Sequence, residues 1–131
     1  NLPMAEYVGT FGTRTLYLRN KFTTSLTWTE GPWSSTLTGT YKSGYQDQNL
    51  TNRATMPATA NTDVDSYTIF GLSATYKGIK NASFSVGIRN LLDVKPPFTH
   101  HDVDDVAGAG WDPRVADPFG RTLTVSMKYD F

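Results

Sequence analysis

The chain of 131 residues contains no cysteine, which excludes a disulfide framework and any thiol chemistry. Twelve basic residues balance twelve acidic ones, so no overall field attracts nucleic acid, and we expect no nucleic-acid partner. The chain also lacks the run of about 18 apolar residues that a transmembrane helix needs. Residues 1–6 have no basic segment followed by an apolar run, so they do not read as a signal peptide.

Motifs of catalysis are absent as well. The chain has no glycine-rich phosphate loop and no Gly-x-Ser-x-Gly nucleophile motif. The only two histidines, His100 and His101, are adjacent, and six aspartates lie close together in residues 93–119. We therefore predict that the chain is not an enzyme and has no cofactor.

The chain is rich in the residues that favour strands. Aromatic residues make up 13% of it, and threonine and serine are abundant. The last ten residues alternate without a break between apolar and polar side chains, which predicts a strand with two different faces. The apolar residues of this strand are Leu123, Val125, Met127, Tyr129 and Phe131.

The same alternation recurs in four earlier segments. The predicted strands cover residues 21–29, 33–45, 66–77, 82–91 and 122–131, with a possible short strand from Thr13 to Leu18. Short turns at 30–32 and 78–81 alternate with long polar loops at 46–65 and 93–119. No helical period stands out. The sequence predicts an all-β protein, an antiparallel meander of about five to six strands.

Two architectures fit this pattern, a soluble β-sandwich and part of an outer-membrane β-barrel. Short turns on one edge and long loops on the other are typical of outer-membrane barrels, and a face of threonine and serine suits a hydrated lumen. Aromatic residues near strand ends form girdles in barrels, whereas in a sandwich they belong to the core. The pattern favours the barrel. The aromatic residues near predicted strand ends are Trp28, Trp33, Tyr41, Tyr45, Tyr67, Tyr76, Phe84, Tyr129 and Phe131.

Several motifs of residues 19–131 together resemble the TonB-dependent outer-membrane receptors. Lys21 to Trp28, Gly31-Pro32-Trp33-Ser34 and Tyr41 to Tyr45 are similar to late barrel strands of that family. Gly87 to Asp93, with Pro96-Pro97-Phe98, resembles its signature near the C-terminus, although Leu92 stands where phenylalanine is usual. Trp111-Asp112-Pro113-Arg114 and Gly120-Arg121 resemble the final loop of an Oar-like or carbohydrate-type subgroup, although Phe119 replaces a frequent basic residue.

This resemblance implies that residues 1–131 are the C-terminal part of a transmembrane β-barrel, without the plug domain and earlier strands. It implies a multi-pass protein of the cell outer membrane that takes up a scarce solute, such as a siderophore, cobalamin or an oligosaccharide, with energy from TonB. The implied partners are outer-membrane lipid, the barrel assembly machinery, the TonB complex through the missing plug, and the transported small solute.

Candidate ligand contacts lie in loop 93–119, which is extracellular by the resemblance. They are Trp111, His100, His101 and Asp102. Imidazole and carboxylate are metal ligands, but the spacing is irregular, so we predict a hydrated acidic loop rather than a metal site. For Trp111 a packing contact beside Pro113 competes with a solute contact. At the chain's end, Tyr129 and Phe131 resemble an outer-membrane assembly signal.

The alternative function is that of a soluble β-sandwich that binds carbohydrate through loop aromatics such as Trp111. The two hypotheses differ in the gene that they require. An upstream reading frame with a signal sequence and a plug domain supports transport, whereas a short frame supports the binding module. The residues predicted to face lipid include Phe84, Val86, Ile88, Leu123, Val125 and Met127.

Overall fold

A computed structural model of the chain describes residues 8–11, 16–47, 63–99 and 110–131. The described residues form seven strands and no helix. The strands are β1 (Lys21–Glu30), β2 (Trp33–Lys42), β3 (Tyr45–Gln46), β4 (Asp63–Val64), β5 (Tyr67–Ile79), β6 (Ala82–Arg89) and β7 (Thr122–Tyr129). No described helix is long and apolar enough to cross a membrane.

The five long strands form one sheet in the order β1-β2-β5-β6-β7, and β3 pairs with β4 in a two-stranded sheet. Each long strand lies beside the preceding long strand, so the predicted antiparallel meander is confirmed. The prediction extended β2 to residue 45, but β2 ends at Lys42, and Tyr45 belongs to the short strand β3. Of the possible strand at 13–18, residues 13–15 lie outside the described residues, and Tyr17 forms an isolated bridge with Val8.

The pairing of β5, β6 and β7 keeps each side chain in a row of its own kind. One row joins Ala74, Val86 and Val125, and the adjacent row joins Thr75, Ser85 and Ser126. Because side chains alternate along every strand, this register collects the apolar residues on one face and the hydroxyls on the other. The two faces predicted from the sequence are therefore confirmed in this part of the sheet.

Hydroxyl pairs mark the same polar face on β1 and β2. The hydroxyls of Thr23 and Thr40 lie 3.3 Å apart, those of Thr27 and Thr36 3.0 Å apart. Cross-strand pairs of this kind contribute roughly 0.2–1 kcal/mol each. The strands join through Gly31 and Pro32, where Gly31 has φ +55°, a conformation that glycine adopts without steric cost. The tight turn predicted at 30–32 is thus confirmed.

The turn between β5 and β6 begins later than predicted. The sequence placed it at residues 78–81, but β5 continues to Ile79 and the turn consists of Lys80 and Asn81. The pairing shifts between Tyr76 and Ile79, so one extra residue is accommodated inside the strand as a bulge. Asn81 has φ +60°, which asparagine tolerates better than most residues.

The chain divides into two compact units. The first comprises residues 1–21, 41–67 and 96–118, and the second comprises residues 22–40, 68–95 and 119–131. All the buried apolar residues described belong to the first unit: Tyr45, Val64, Tyr67, Val115 and Ala116. The second unit contains most of the five-stranded sheet.

The apolar face of the second unit is exposed. Leu26 on β1 is 68% exposed, and Val125 on β7 is 69% exposed. A β-sandwich would bury such a face against a second sheet, whereas the residues that the structure describes leave this face exposed. Other exposed residues of this face are Phe22, Trp28, Trp33, Leu37, Phe70, Leu72, Phe84, Val86, Leu123, Met127 and Tyr129.

The two faces of β7 differ in their expected tolerance of charge. If lipid covers the apolar face, Val125→Arg places a cation against hydrocarbon, at a cost of roughly 2–4 kcal/mol near mid-bilayer. Thr124→Arg, one residue away, places the same cation on the hydroxyl face. The measurement is the yield of folded intact protein in the outer membrane, determined by semi-native electrophoresis. We expect Val125→Arg to reduce this yield strongly and Thr124→Arg to leave it nearly unchanged. Equal losses would contradict the assignment of the faces.

Candidate functional site

A buried polar cluster in the first unit joins the ends of the two long loops. Asp47, which is 0% exposed, follows β3, and Thr99 comes from the second loop. The Thr99 hydroxyl donates a hydrogen bond to Asp47 Oδ1 and also interacts with the Tyr45 hydroxyl. Burial raises the pKa of Tyr45 well above its usual range, so this hydroxyl stays protonated. The cluster fixes the two loop ends to each other.

A second set of bonds in this unit organises the segment after Trp111. The buried Asp112 carboxylate accepts the Arg114 backbone N–H at 2.8 Å and pairs with the Arg114 guanidinium at 2.6 Å. The Val115 and Ala116 backbone N–H groups both bond the Asp112 carbonyl, and Pro113 fixes the backbone angle of the turn. The Arg114 guanidinium also lies over the Phe11 ring, 5.4 Å from its centre.

Lys42 extends this arrangement. Its ammonium, at the end of β2, donates a hydrogen bond to the Val115 carbonyl. The Asp112 turn thus contacts the N-terminal segment through Arg114 and Phe11, and it is hydrogen-bonded to β2 through Lys42. The ion pair of Asp112 with Arg114 and the bond from Lys42 together hold this turn in place.

Asn90 begins a compact turn in the second unit, directly after β6. Its side chain is bonded twice to Val94, accepting from the backbone N–H and donating to the carbonyl, both at 2.9 Å. Asn90 and Asp93 have positive φ angles of 53° and 54°. Asparagine and aspartate tolerate this conformation because their side chains bond the nearby backbone. The turn reverses the chain as it leaves the sheet.

Asp93 connects that turn to the beginning of β7. Its Oδ1 accepts the Arg121 backbone N–H at 2.8 Å. This bond and the Lys95 ammonium, 3.7 Å from Asp93 Oδ2, hold the pKa of the carboxyl below its usual range. A Cβ at position 120 would lie 2.5 Å from Asp93 Oδ1, so any larger residue there forces the Asp93 carboxylate to move. We call Asp93, Gly120 and Arg121 the β6–β7 clasp.

The hydroxyl face of the sheet contains a shallow trough of about 250 Å³. Gly71 and Gly87 leave space at its floor, and no heavy atom lies within 4 Å of a Cβ built on Gly87. Arg89 at the end of β6 supplies a cation. Four hydroxyl side chains line this trough together with Leu72 and Ile88, and none of the lining side chains is aromatic. Its lining includes Thr36, Thr38, Ser73 and Thr124.

The predicted site residues have different outcomes. Trp111 is partly exposed and directly precedes the Asp112 turn, and its contact with a solute stays a prediction. His100, His101 and Asp102 lie outside the described residues, and their roles stay predictions. Tyr129 and Phe131 at the chain's end are exposed, with ring centres 5.1 Å apart in an edge-to-face arrangement.

Sequence reasoning missed the buried cluster of Asp47, Thr99 and Tyr45. Asp47 and Thr99 are 52 positions apart, and no local pattern relates them. Sequence reasoning also missed the contact of Arg121 with Asp93, in which the backbone N–H of Arg121 donates to the Asp93 carboxylate. A signal was available, since the glycine before Arg121 leaves room for an approaching side chain.

Comparison with protein families decides the assignment. Residues 6–91 match the family described as TonB dependent receptor-like, beta-barrel. The chain belongs to this family. Neither a search of curated proteins nor a search of solved structures returns a significant match. The family comprises receptors and transporters of outer-membrane type and is not an enzyme family.

The family assignment confirms the resemblance seen in the sequence and the barrel-segment fold. The match covers β1 to β6, and β7 follows it. It ends at Leu91, inside the Asn90 turn, and it does not identify a subgroup. The Oar-like or carbohydrate-type assignment, which rests on residues 111–121, therefore stays a prediction.

The clasp generates a prediction about barrel stability. Gly120→Ala forces Asp93 away from the Arg121 N–H, so we expect the intact protein to convert from its folded to its unfolded form at a lower temperature in semi-native electrophoresis. Gly87→Ala is the matched control, because its added methyl meets open space.

A double variant distinguishes the clash with Asp93 from the general effect of replacing a glycine by alanine. Asp93→Ala removes the atom that the new methyl meets, so Gly120→Ala should cost less in that background than in the wild type. Because the pKa of Asp93 is lowered, the stabilisation is present at neutral pH and is lost as pH falls through the lowered value. Additive effects of the two substitutions would contradict the clasp.

Proposed function

We propose that this chain forms the closing strands of a TonB-dependent transporter. The transporter is a β-barrel whose strands cross the outer membrane several times, and it takes up a scarce solute. The observation that carries the proposal is the pairing of an exposed apolar face with a hydroxyl face in one sheet of the family's barrel domain. Lipid suits the first face, and a water-filled or plugged lumen suits the second.

The buried clusters of the first unit fit loops that form a binding rim. A receptor loop must hold its contact residues in a defined position without a large apolar core beneath it. The Asp112 turn does this for Trp111, since its carboxylate is bonded to the Arg114 side chain and backbone. Trp111 is thus the residue of this segment best suited to stack against a solute.

Ferric siderophore chelates, cobalamin and oligosaccharides are the solute classes that we propose. The hydroxyl face of the sheet is mainly uncharged, and Arg89 is the cation that lines its trough. The proposed partners are TonB, through a plug domain, and the barrel assembly machinery, through the final aromatic residues. Residues 1–131 form the C-terminal part of the receptor in this proposal.

Uptake by cells that contain the intact protein tests the transporter function. Each solute class is supplied in radiolabelled form to cells with and without TonB. We expect accumulation of one class, only when TonB is present, and a several-fold loss in Trp111→Ala. Leu92→Ala, which removes another exposed apolar side chain, serves as the control. Accumulation that persists without TonB, or no accumulation in any arm, would contradict the proposal.

The final aromatic residue generates a separate prediction. Phe131 is fully exposed and follows β7, and its ring contacts only the neighbouring Tyr129 among the aromatic contacts described. Its removal therefore costs little packing in the folded sheet. If it acts as an assembly signal, deletion of Phe131 should lower the amount of protein in the outer membrane while leaving the thermal stability of the inserted fraction unchanged. Normal outer-membrane yield would argue against a signal.

A further inference from the structure

Two tryptophans and one glutamate lie together on the apolar face, beside the β1–β2 turn. Trp28 and Glu30 are two residues apart on β1 and so share a face. The hydroxyl pair of Thr29 and Ser34 fixes the register across the turn, which brings Glu30 opposite Trp33. All three residues line one cavity of about 310 Å³, together with Ser35.

The cavity is open to the surroundings of the sheet. Trp28 is 66% exposed and Trp33 is 54% exposed. Tyr76 on β5 supports Trp33, with ring centres 4.6 Å apart. Among the described residues, Glu30 has no ion-pair partner, although it lies at the edge of an otherwise apolar surface. Because Glu30 is exposed, its carboxylate is available to a cation that enters the cavity.

The chemistry of the lining selects the cation. Aromatic faces attract ammonium groups through their negative charge density, and a carboxylate adds a full charge and hydrogen-bond acceptors. A primary ammonium uses both, because it has three N–H donors, whereas a trimethylated ammonium has none. Tryptophans at a strand end lie at the level of lipid headgroups in a barrel. We propose that this cavity binds the ammonium headgroup of phosphatidylethanolamine.

This inference rests on the proposed barrel, because it requires the apolar face to meet a bilayer. It does not depend on which solute is transported. The bound headgroup would hold the β1–β2 turn at a fixed depth in the bilayer. An anionic headgroup that lacks an ammonium group cannot make this contact. Glu30 would repel phosphatidylglycerol, and phosphatidylcholine would use the aromatic faces without hydrogen bonds to the carboxylate.

Lipid retention by the intact protein provides the test. The protein is reconstituted with equal amounts of phosphatidylethanolamine, phosphatidylcholine and phosphatidylglycerol of identical acyl chains, then released and weighed by native mass spectrometry. We expect phosphatidylethanolamine to be retained most and phosphatidylglycerol least. Glu30→Gln should lower the retained phosphatidylethanolamine by about threefold to tenfold, and Trp33→Leu should do so to a similar extent.

Asp130→Asn is the matched control. It removes one negative charge from the same turn edge, where the Asp130 N–H bonds the Asn81 carbonyl, but it lies outside the cavity. We expect it to leave lipid retention unchanged. Equal retention of the three lipids, an unchanged ratio in Glu30→Gln, or the same loss in Asp130→Asn would overturn the proposal. A mass spectrum dominated by dimers without lipid would assign the cavity to a second copy instead.

Failure of this inference is distinguishable from failure of the transporter function. Protein that reaches the outer membrane and transports its solute, but retains no lipid selectively, refutes only the headgroup site. Protein that never enters the outer membrane refutes the barrel on which both depend.

Discussion

The exposed apolar face of the five-stranded sheet is the constraint on which the rest of the structure depends. Burial of apolar surface contributes roughly 25 cal/mol per Å², so a face this extensive is unfavourable in water and favourable in hydrocarbon. The alternation of side chains then requires the opposite face to be compatible with water, and threonine and serine meet that requirement while keeping a high strand propensity. Short turns join β1 to β2 and β5 to β6 at the edge of the sheet where Trp33 and Tyr76 lie.

A sheet of this kind cannot be stabilised by a conventional core, so order elsewhere comes from polar interactions. The first unit buries only five apolar side chains among the described residues, yet it also buries Asp47, Asp112 and Thr99. Buried carboxylates are costly unless donors surround them. Arg114 neutralises Asp112, and the Thr99 hydroxyl bonds Asp47. Such pairs form only in a defined geometry, so they hold the loop residues in definite positions. Five buried apolar side chains alone would not do so.

The sheet could be predicted from the sequence because its determinants are local. Period-two alternation in β7 and a glycine-proline turn after Glu30 identify strands and turns without knowledge of distant residues. The extra residue accommodated near Gly78 was missed, since a bulge leaves the alternation almost unchanged. The cluster of Asp47, Thr99 and Tyr45 was missed for a different reason. Its members come from separate loops, and only the folded chain brings them together.

The sequence signatures that suggested the family acquire a physical meaning that is structural. Asn90 and Asp93 adopt left-handed backbone conformations and bond backbone atoms, and Gly120 makes room for the Asp93 carboxylate. These residues therefore specify how the chain leaves one strand and enters the next, which every barrel of this type must do whatever it transports. Asp112 has a comparable role beneath Trp111. Proteins of one fold can share the geometry of their strand connections and still bind different solutes. Residues that recognise a solute therefore need not belong to such motifs. The exposed side chains that these turns hold in position are the better place to look for specificity.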